Sequence, residues 1–192
     1  VGGMQLYKAE TPGPVKDEKL TPRITQTARA LWVVYLLITI ACVISLKVAG
    51  MNWFDAVCHA FATLALGGFS TYDASVGHFD SPAIEAVLIV FMLIAAMNFA
   101  RHFIAWQQKS LRTYATDVEA KAMLALIGVS TLGLSIYIWA LDVYPDFGTA
   151  LRHVAFNLVS IATDCGFVSQ DYAAWPMFAP MVILMLSCYC AN

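Results

Sequence analysis

The chain has 192 residues, of which 60% are hydrophobic and only 12% are charged, and its formal net charge is -2. With a mean hydropathy of +0.69, this composition excludes an ordinary soluble domain, because a water-exposed surface needs more charge, and it predicts an integral membrane protein. The slightly negative charge provides no basic surface, so no nucleic-acid partner is expected. The expected partner is the lipid bilayer.

The apolar residues form long blocks. Residues 1–27 are polar and contain three prolines, which predicts a connector rather than a long helix. Residues 30–46 carry no charge, and at about 1.5 Å per residue they cover most of a ~30 Å hydrocarbon core. They are the first predicted span. Further spans are predicted at 82–100, at 122–141 and from about 172 to the end of the chain.

Two shorter apolar stretches, residues 53–66 and 149–163, lie between these spans. They are too short to cross a bilayer, so we expect re-entrant segments or packed interior helices. Each is followed at once by a turn that contains a Gly-Phe pair. The predicted order is therefore a span, a short helix, a glycine-containing turn and a span, and this order occurs twice.

The basic residues predict the orientation of the spans. Two connectors, residues 1–29 and 101–121, hold nine of the eleven Lys and Arg residues, whereas the other two connectors are rich in Asp. By the positive-inside rule the basic connectors face the cytoplasm, so both Gly-Phe turns are entered from the outer side. The excess of acid there attracts cations.

The two copies align at a fixed offset of 98 residues, which indicates parallel internal repeats. The matching pairs are Gly68 and Gly166, Phe69 and Phe167, Asp73 and Asp171, and Pro82 and Pro180.

A short helix that descends from the outer surface directs its carbonyl end, with a partial negative charge, toward the middle of the membrane. The chain must then return as extended backbone, whose carbonyl oxygens can replace the hydration shell of an ion. Glycine permits the backbone dihedrals that this requires, which singles out Gly68 and Gly166. For Gly68 taken alone, a helix C-cap is the more common role.

These turns resemble the selectivity filters of the TrkH/KtrB/HKT superfamily of potassium and sodium translocating proteins. In that superfamily each M1–pore helix–M2 repeat carries a degenerate form of the potassium-channel TVGYG signature. The resemblance covers almost the whole chain and is strongest in four tracts: residues 2–7 (GGMQLY), 9–14 (AETPGP), 64–73 and 162–176.

The resemblance implies a fold and a division of the chain. Four such repeats surround one pore with pseudo-fourfold symmetry, and this chain is similar to the second and third. The implied segments are a cytoplasmic connector at 1–27, a first repeat at 28–108 with its filter at about 65–70, a connector at 109–121, and a second repeat at 122–192 with its filter at about 163–168. The last M2 helix is cut short.

The resemblance also implies a function: potassium uptake at the bacterial cytoplasmic (inner) membrane by a homodimer of pore subunits, gated by a cytosolic nucleotide-binding ring of the TrkA type. No organic cofactor and no catalytic residue are expected. Potassium ions would be held by backbone carbonyls in the two filters, with two aspartates at the outer mouth. The filter residues are Leu66, Gly67, Gly68 and Phe69, and Asp164, Cys165, Gly166 and Phe167; the mouth residues are Asp73 and Asp171.

Several roles stay open at the level of sequence. Asp164 replaces the threonine or other small residue of the family, and its side chain faces the ion or lies behind the filter. Asp73 and Asp171 either concentrate cations or cap turns. His59 and His153 are expected to form structural hydrogen bonds, because neither has partners at metal-binding spacing. The chain also stops where the family begins a glycine-rich intramembrane loop.

Two other functions are compatible with a membrane protein of this size. An ion-coupled secondary transporter of a small organic solute would have inverted repeats and charged ligands in the middle of the membrane, whereas these repeats are parallel and the spans after the turns are almost uncharged. A membrane enzyme would need a nucleophile with a base, or a metal cluster, and neither is evident.

Overall fold

A computed structural model describes residues 24–97, 99–108 and 117–190 of the chain. Residues 1–23 and 109–116 lie outside the described residues. The two tracts at 2–7 and 9–14 and the larger part of the predicted connectors at 1–27 and 109–121 therefore also lie outside them.

Every regular element among the described residues is helical, as expected for an all-α protein. Seven α-helices and two short 3-10 turns follow one another in the described parts of the chain. The helices are α1 (Ile24–Val48), α2 (Trp53–Leu64), α3 (Pro82–Ala96), α4 (Phe99–Gln108), α5 (Val118–Ala140), α6 (Phe147–Ala162) and α7 (Phe178–Cys190), and the 3-10 turns are Ser75–His78 and Tyr172–Ala174.

Two of these helices are long and apolar enough to cross a membrane: residues 28–48 of α1 and residues 118–140, which form α5. Both lie where the sequence predicts spans. The apolar helices α3 and α7 are shorter. The 15 residues of α3 extend about 22 Å, which is less than the ~30 Å hydrocarbon core.

The span expected at 82–100 is interrupted in the structure. The helix ends at Ala96, and Met97 adopts an extended conformation with ψ of 150°. A separate helix, α4, then begins at Phe99. His102 in α4 donates a hydrogen bond of 2.9 Å from Nε2 to the Ile94 carbonyl. This bond connects α4 to the last turn of α3. The uniform hydropathy of this stretch does not predict the break.

The short helices α2 and α6 begin at residues that cap their free N–H groups. The Asn52 side chain accepts a hydrogen bond from the Asp55 N–H, and the Asp146 carboxylate accepts one from the Thr149 N–H. Such caps satisfy the first-turn donors that have no partner within the helix. At Asp146 the bonds from the Thr149 N–H and hydroxyl hold the pKa of the carboxyl below its usual value.

The packing places both short helices inside the molecule. Helix α2 packs against α1 and α3, while α6 packs against α5, α7 and also α3. Helix α3 therefore joins the two halves of the chain. Buried residues from both halves form one core, which includes Met51, Leu88, Phe156 and Phe167.

An ion pair strengthens the contact between α3 and α6. The Arg152 guanidinium donates two hydrogen bonds to the Glu85 carboxylate, of 2.9 Å and 2.8 Å, and one of 2.8 Å to Asp80. The side chain of Glu85 is only 3% exposed. Because a buried carboxylate without a partner is costly, the guanidinium offsets the burial of Glu85 where α3 packs against α6.

We predict that Arg152→Met destabilises the protein by about 3–5 kcal/mol, because it leaves Glu85 buried and unpaired. The Arg152→Met/Glu85→Gln double variant should recover a large part of this loss, since the charge is removed. Thermal unfolding in detergent measures both variants. Equal stability of the single and double variants would contradict the role assigned to the buried charge.

Candidate functional site

Two loops that follow the short buried helices form the candidate site. The first loop (residues 65–74) follows α2 and the second loop (residues 163–171) follows α6. The predicted filter residues lie in these loops, so the structure brings the two predicted sets together. Residues 65–70 and 163–168 contain no regular helix beyond the turn that ends each preceding one.

Both helices end in the same hydrogen-bonded turn. The Gly67 N–H bonds the Ala62 carbonyl at 2.8 Å, and the Cys165 N–H bonds the Ser160 carbonyl at 2.8 Å. One residue earlier, the Leu66 N–H bonds the Thr63 carbonyl and the Asp164 N–H bonds the Ile161 carbonyl. These are the two bonds of a Schellman motif, and they occur at matching positions 98 residues apart.

The sign of φ alternates in the same way in both loops. Leu66 has φ of 50° and Gly68 of 62°, while Asp164 has 57° and Gly166 has 91°. The residues between them, Gly67 and Cys165, do not have positive φ. A helix end needs only one left-handed residue, which Leu66 and Asp164 supply. The second left-handed position, two residues later, is a property of the loops and is glycine in both.

The two loops touch each other through their main chains. A Cβ atom added at Gly68 would lie 2.2 Å from the Cys165 carbonyl oxygen and 2.8 Å from the Gly166 carbonyl carbon. A Cβ added at Gly166 would meet no atom of the described residues within 4 Å. Gly68 is therefore required both for its left-handed dihedral and for the close approach of the second loop.

The turn after the first loop also binds the second loop. The Gly77 N–H donates to the Val168 carbonyl at 3.1 Å, and the Val168 N–H donates to the Ser75 hydroxyl at 3.2 Å. These bonds connect residues that are 91 and 93 positions apart in the chain, which no local pattern in the sequence predicts.

The remaining predicted residues differ between the loops. Phe69 is 79% exposed, whereas Phe167 at the matching position is fully buried. The exposed Asp164 side chain accepts a hydrogen bond of 3.1 Å from the Ser187 hydroxyl in α7. Asp171 caps the 3-10 turn at Tyr172–Ala174 through the Ala173 N–H, which is the capping role that the sequence left open. Asp73 is exposed at the end of the first loop.

A buried carboxylate in α2 holds the outer part of the first loop. Asp55 is 2% exposed, and it accepts hydrogen bonds from the Thr71 hydroxyl at 2.7 Å, the Tyr72 hydroxyl at 3.0 Å and the Asn52 amide at 2.6 Å. Three donors offset the cost of burying the carboxylate. The chain at Thr71 and Tyr72 is thereby fixed to the N-terminal turn of α2.

The imidazole of His59 binds the same loop one turn further along α2. Its Nδ1 lies 2.8 Å from the Asp55 carbonyl oxygen and its Nε2 lies 2.9 Å from the Ser70 hydroxyl oxygen. Because a carbonyl can only accept, Nδ1 carries the proton, and in the neutral ring Nε2 accepts from Ser70. The Ser70 oxygen in turn accepts from the Tyr72 N–H at 3.2 Å.

The second half of the chain has polar residues at the matching positions of α6. Asn157, which matches His59, donates to the Ser169 hydroxyl at 3.1 Å and accepts from the Ser169 N–H at 3.2 Å. His153, which matches Asp55, lies 3.4 Å from the same hydroxyl. The two histidines therefore form structural hydrogen bonds, as expected, but they are not equivalent to each other.

Asp55 and Asn157 have no role among the sequence-based predictions, although the 98-residue offset pairs Asp55 with His153 and His59 with Asn157. Polar residues recurring at two positions of a short apolar helix are the signal that could have found them. No group of three or more His, Cys, Asp or Glu residues within the described ranges could hold a metal ion.

Comparison with known proteins identifies the family of this chain. A family profile described as "TrkH: Cation transport protein" matches residues 1–191. The Trk system potassium uptake protein TrkH of Halomonas elongata is 46% identical over 185 residues, which are 96% of this chain and 38% of that protein. TrkH of Escherichia coli K12 is 44% identical over 184 residues, with 96% and 38% covered.

A solved structure is also similar. The crystal structure of the potassium transporter TrkH from Vibrio parahaemolyticus matches with a TM-score of 0.82 at 41% identity, covering 87% of this chain and 36% of that one. The chain thus spans less than two fifths of the length of these relatives.

The all-helical fold of the described residues and the two candidate spans indicate the class of helical membrane proteins. More particularly, the chain belongs to the TrkH family of cation transport proteins.

We predict that Gly68→Ala lowers the free energy of unfolding by about 2–5 kcal/mol, because a methyl group adds left-handed strain and displaces the second loop. The matched control is Gly128→Ala in α5, where a Cβ atom meets nothing within 4 Å and stability should rise by about 0.5–1 kcal/mol. Thermal unfolding in detergent measures both. A Gly68→Ala variant as stable as the wild type would exclude the close contact between the loops.

Proposed function

We propose that this chain forms part of a pore that takes up potassium ions across the bacterial cytoplasmic membrane. The observation that carries the proposal is the pair of loops with the same alternating φ and the same terminal turn, in direct main-chain contact. The family membership supports it, since relatives at 44–46% identity are named potassium uptake proteins.

The main-chain carbonyls of residues 66–69 and 164–167 are the proposed ligands of the ion. A backbone that alternates between left-handed and right-handed dihedrals turns successive carbonyls toward the same side. Such a row of oxygens can replace the water that a potassium ion loses on entering a narrow pore. Glycine at positions 68 and 166 makes this alternation accessible at low cost.

The helices that precede the loops favour a cation electrostatically. Both α2 and α6 end at the loops, so the negative ends of their dipoles, equivalent to about half an elementary charge each, point at the proposed ion path. The exposed carboxylate of Asp164 lies in the same turn as the end of α6 and adds negative charge there. Asp73 increases the local concentration of cations at the outer end of the first loop.

The proposed architecture has two parallel M1–pore helix–M2 repeats in this chain. In the first, α1, α2 and α3 are M1, the pore helix and M2, with the filter at about 65–70. In the second, α5, α6 and α7 have these roles, with the filter at about 163–168. Two loops enclose one side of a path, so further repeats in the complete protein are needed to surround an ion.

The proposed setting follows the names of the relatives and the charge pattern. The basic connectors place the loops on the outer side of the inner membrane. The relatives are named as proteins of a Trk system, which supports partner proteins in general. The homodimer and the cytosolic nucleotide-binding ring of the TrkA type are proposed from the family resemblance.

Rubidium uptake into proteoliposomes that contain the complete protein tests the proposal. We expect uptake that potassium inhibits more strongly than sodium does, and no ion-dependent accumulation of small organic solutes. Protein that is folded and correctly inserted but takes up no rubidium would overturn the assignment.

The variant Gly166→Ala tests the role of the loop itself. No described atom lies within 4 Å of the new methyl group, so we expect the fold to be retained. The left-handed dihedral becomes strained by about 1–2 kcal/mol, and discrimination between potassium and sodium should fall about tenfold. Size-exclusion chromatography monitors folding. Unchanged discrimination in the folded variant would remove Gly166 from the filter.

A further inference from the structure

The imidazole of His59 contacts both loops at once. Its Nε2 accepts the hydrogen bond from Ser70 in the first loop. Its face stacks on the ring of Phe167 in the second loop, with centroids 5.6 Å apart and an interplanar angle of 20°. A third ring, Phe79, meets it edge-on at 5.4 Å. Both His59 and Phe167 are fully buried, so neither ring can turn without moving the other.

The hydrogen bonds fix the orientation of this ring. The proton on Nδ1 is committed to the Asp55 carbonyl, which belongs to the same helix one turn earlier. The bond to α2 therefore sets the plane of the imidazole. Ser70 bonds the ring in this orientation, and Phe167 stacks on it. At the matching position of α6, Asn157 bonds Ser169 of its own loop and the His153 carbonyl of its own helix. His59 thus adds a side-chain link between the two loops to their main-chain contact at Gly68.

We propose that His59 is a positioning residue that couples the geometry of the two filters, so that ion selectivity in one depends on the packing of the other. This inference rests on the proposed function of the loops. A shift of the second loop moves the Phe167 ring, which displaces the stacked imidazole of His59. The Ser70 hydroxyl, which is hydrogen-bonded to that imidazole, then moves as well. Because Ser70 directly follows Phe69, the carbonyl ligands of the first filter move with it.

A double-variant cycle tests the coupling in the complete protein. His59→Leu removes the hydrogen bond to Ser70, and Phe167→Leu removes the ring that stacks on the His59 imidazole. Each should lower the preference for potassium over sodium about 3- to 10-fold, measured as sodium inhibition of rubidium uptake. The combined variant should lose much less than the product of the two single effects, because either change already breaks the link.

A second cycle separates coupling from simple damage to the fold. Ser70→Ala should reduce the selectivity of the wild type but cause little further loss in the His59→Leu background, because the Ser70 hydroxyl acts through the imidazole. His59→Asn introduces the residue found at position 157. Compared with His59→Leu, it should regain part of the selectivity of the first filter, and Phe167→Leu should then cause no further loss. Size-exclusion chromatography and thermal unfolding establish that each variant is folded.

The outcomes distinguish this inference from the proposed function. Wild-type protein without rubidium uptake would reject the pore itself. Normal uptake with unchanged selectivity in folded His59→Leu, or with independent, multiplicative effects of His59→Leu and Phe167→Leu, would reject the coupling and leave the pore intact. If His59→Leu does not fold, the cycle between Ser70→Ala and Phe167→Leu decides in its place: effects that multiply independently would reject the coupling.

Discussion

The close approach of two main-chain segments, Gly68 in the first loop and Cys165 and Gly166 in the second, constrains the rest of this structure. Backbone can pass within van der Waals distance of backbone only where no side chain intervenes. Here a Cβ atom at Gly68 would lie 2.2 Å from a carbonyl oxygen. The C-terminal ends of α2 and α6 must therefore lie next to each other. Two features maintain this alignment: the packing of α3 against both halves, and the ion pair of Arg152 with Glu85.

The polar residues of α2 and α6 solve a second problem that this arrangement creates. A chain that leaves a buried helix as irregular backbone exposes N–H and carbonyl groups in an apolar setting, where each group without a partner costs free energy. Asn157 supplies a partner for the Ser169 N–H. Asp55 and His59 instead hold their loop through the hydroxyls of Thr71, Tyr72 and Ser70. The inner part of each loop, residues 66–68 and 164–166, holds the carbonyl oxygens that we propose as ligands of the ion.

The two halves share a backbone plan but differ in their side chains. The terminal turns and the left-handed dihedrals match at the 98-residue offset, whereas the buried charge in α2 is replaced by His153 in α6 and the exposed Phe69 by the buried Phe167. In the proposed pore, such differences would give each loop different neighbours, and the two proposed filters would then contribute unequally to selectivity.

The sequence by itself determined the membrane character, the approximate positions of the helices and the two glycines, because hydropathy, helix length and the left-handed dihedral of glycine are local properties. It also contained the offset that pairs Asp55 with His153. Only the tertiary structure decided that α3 ends at Ala96, that Gly68 meets the second loop, that Asp171 caps a turn and that His59 stacks on Phe167. These features arise from contacts between residues that are distant in the chain, or from packing around a helix end, and neither leaves a periodic signal in the sequence.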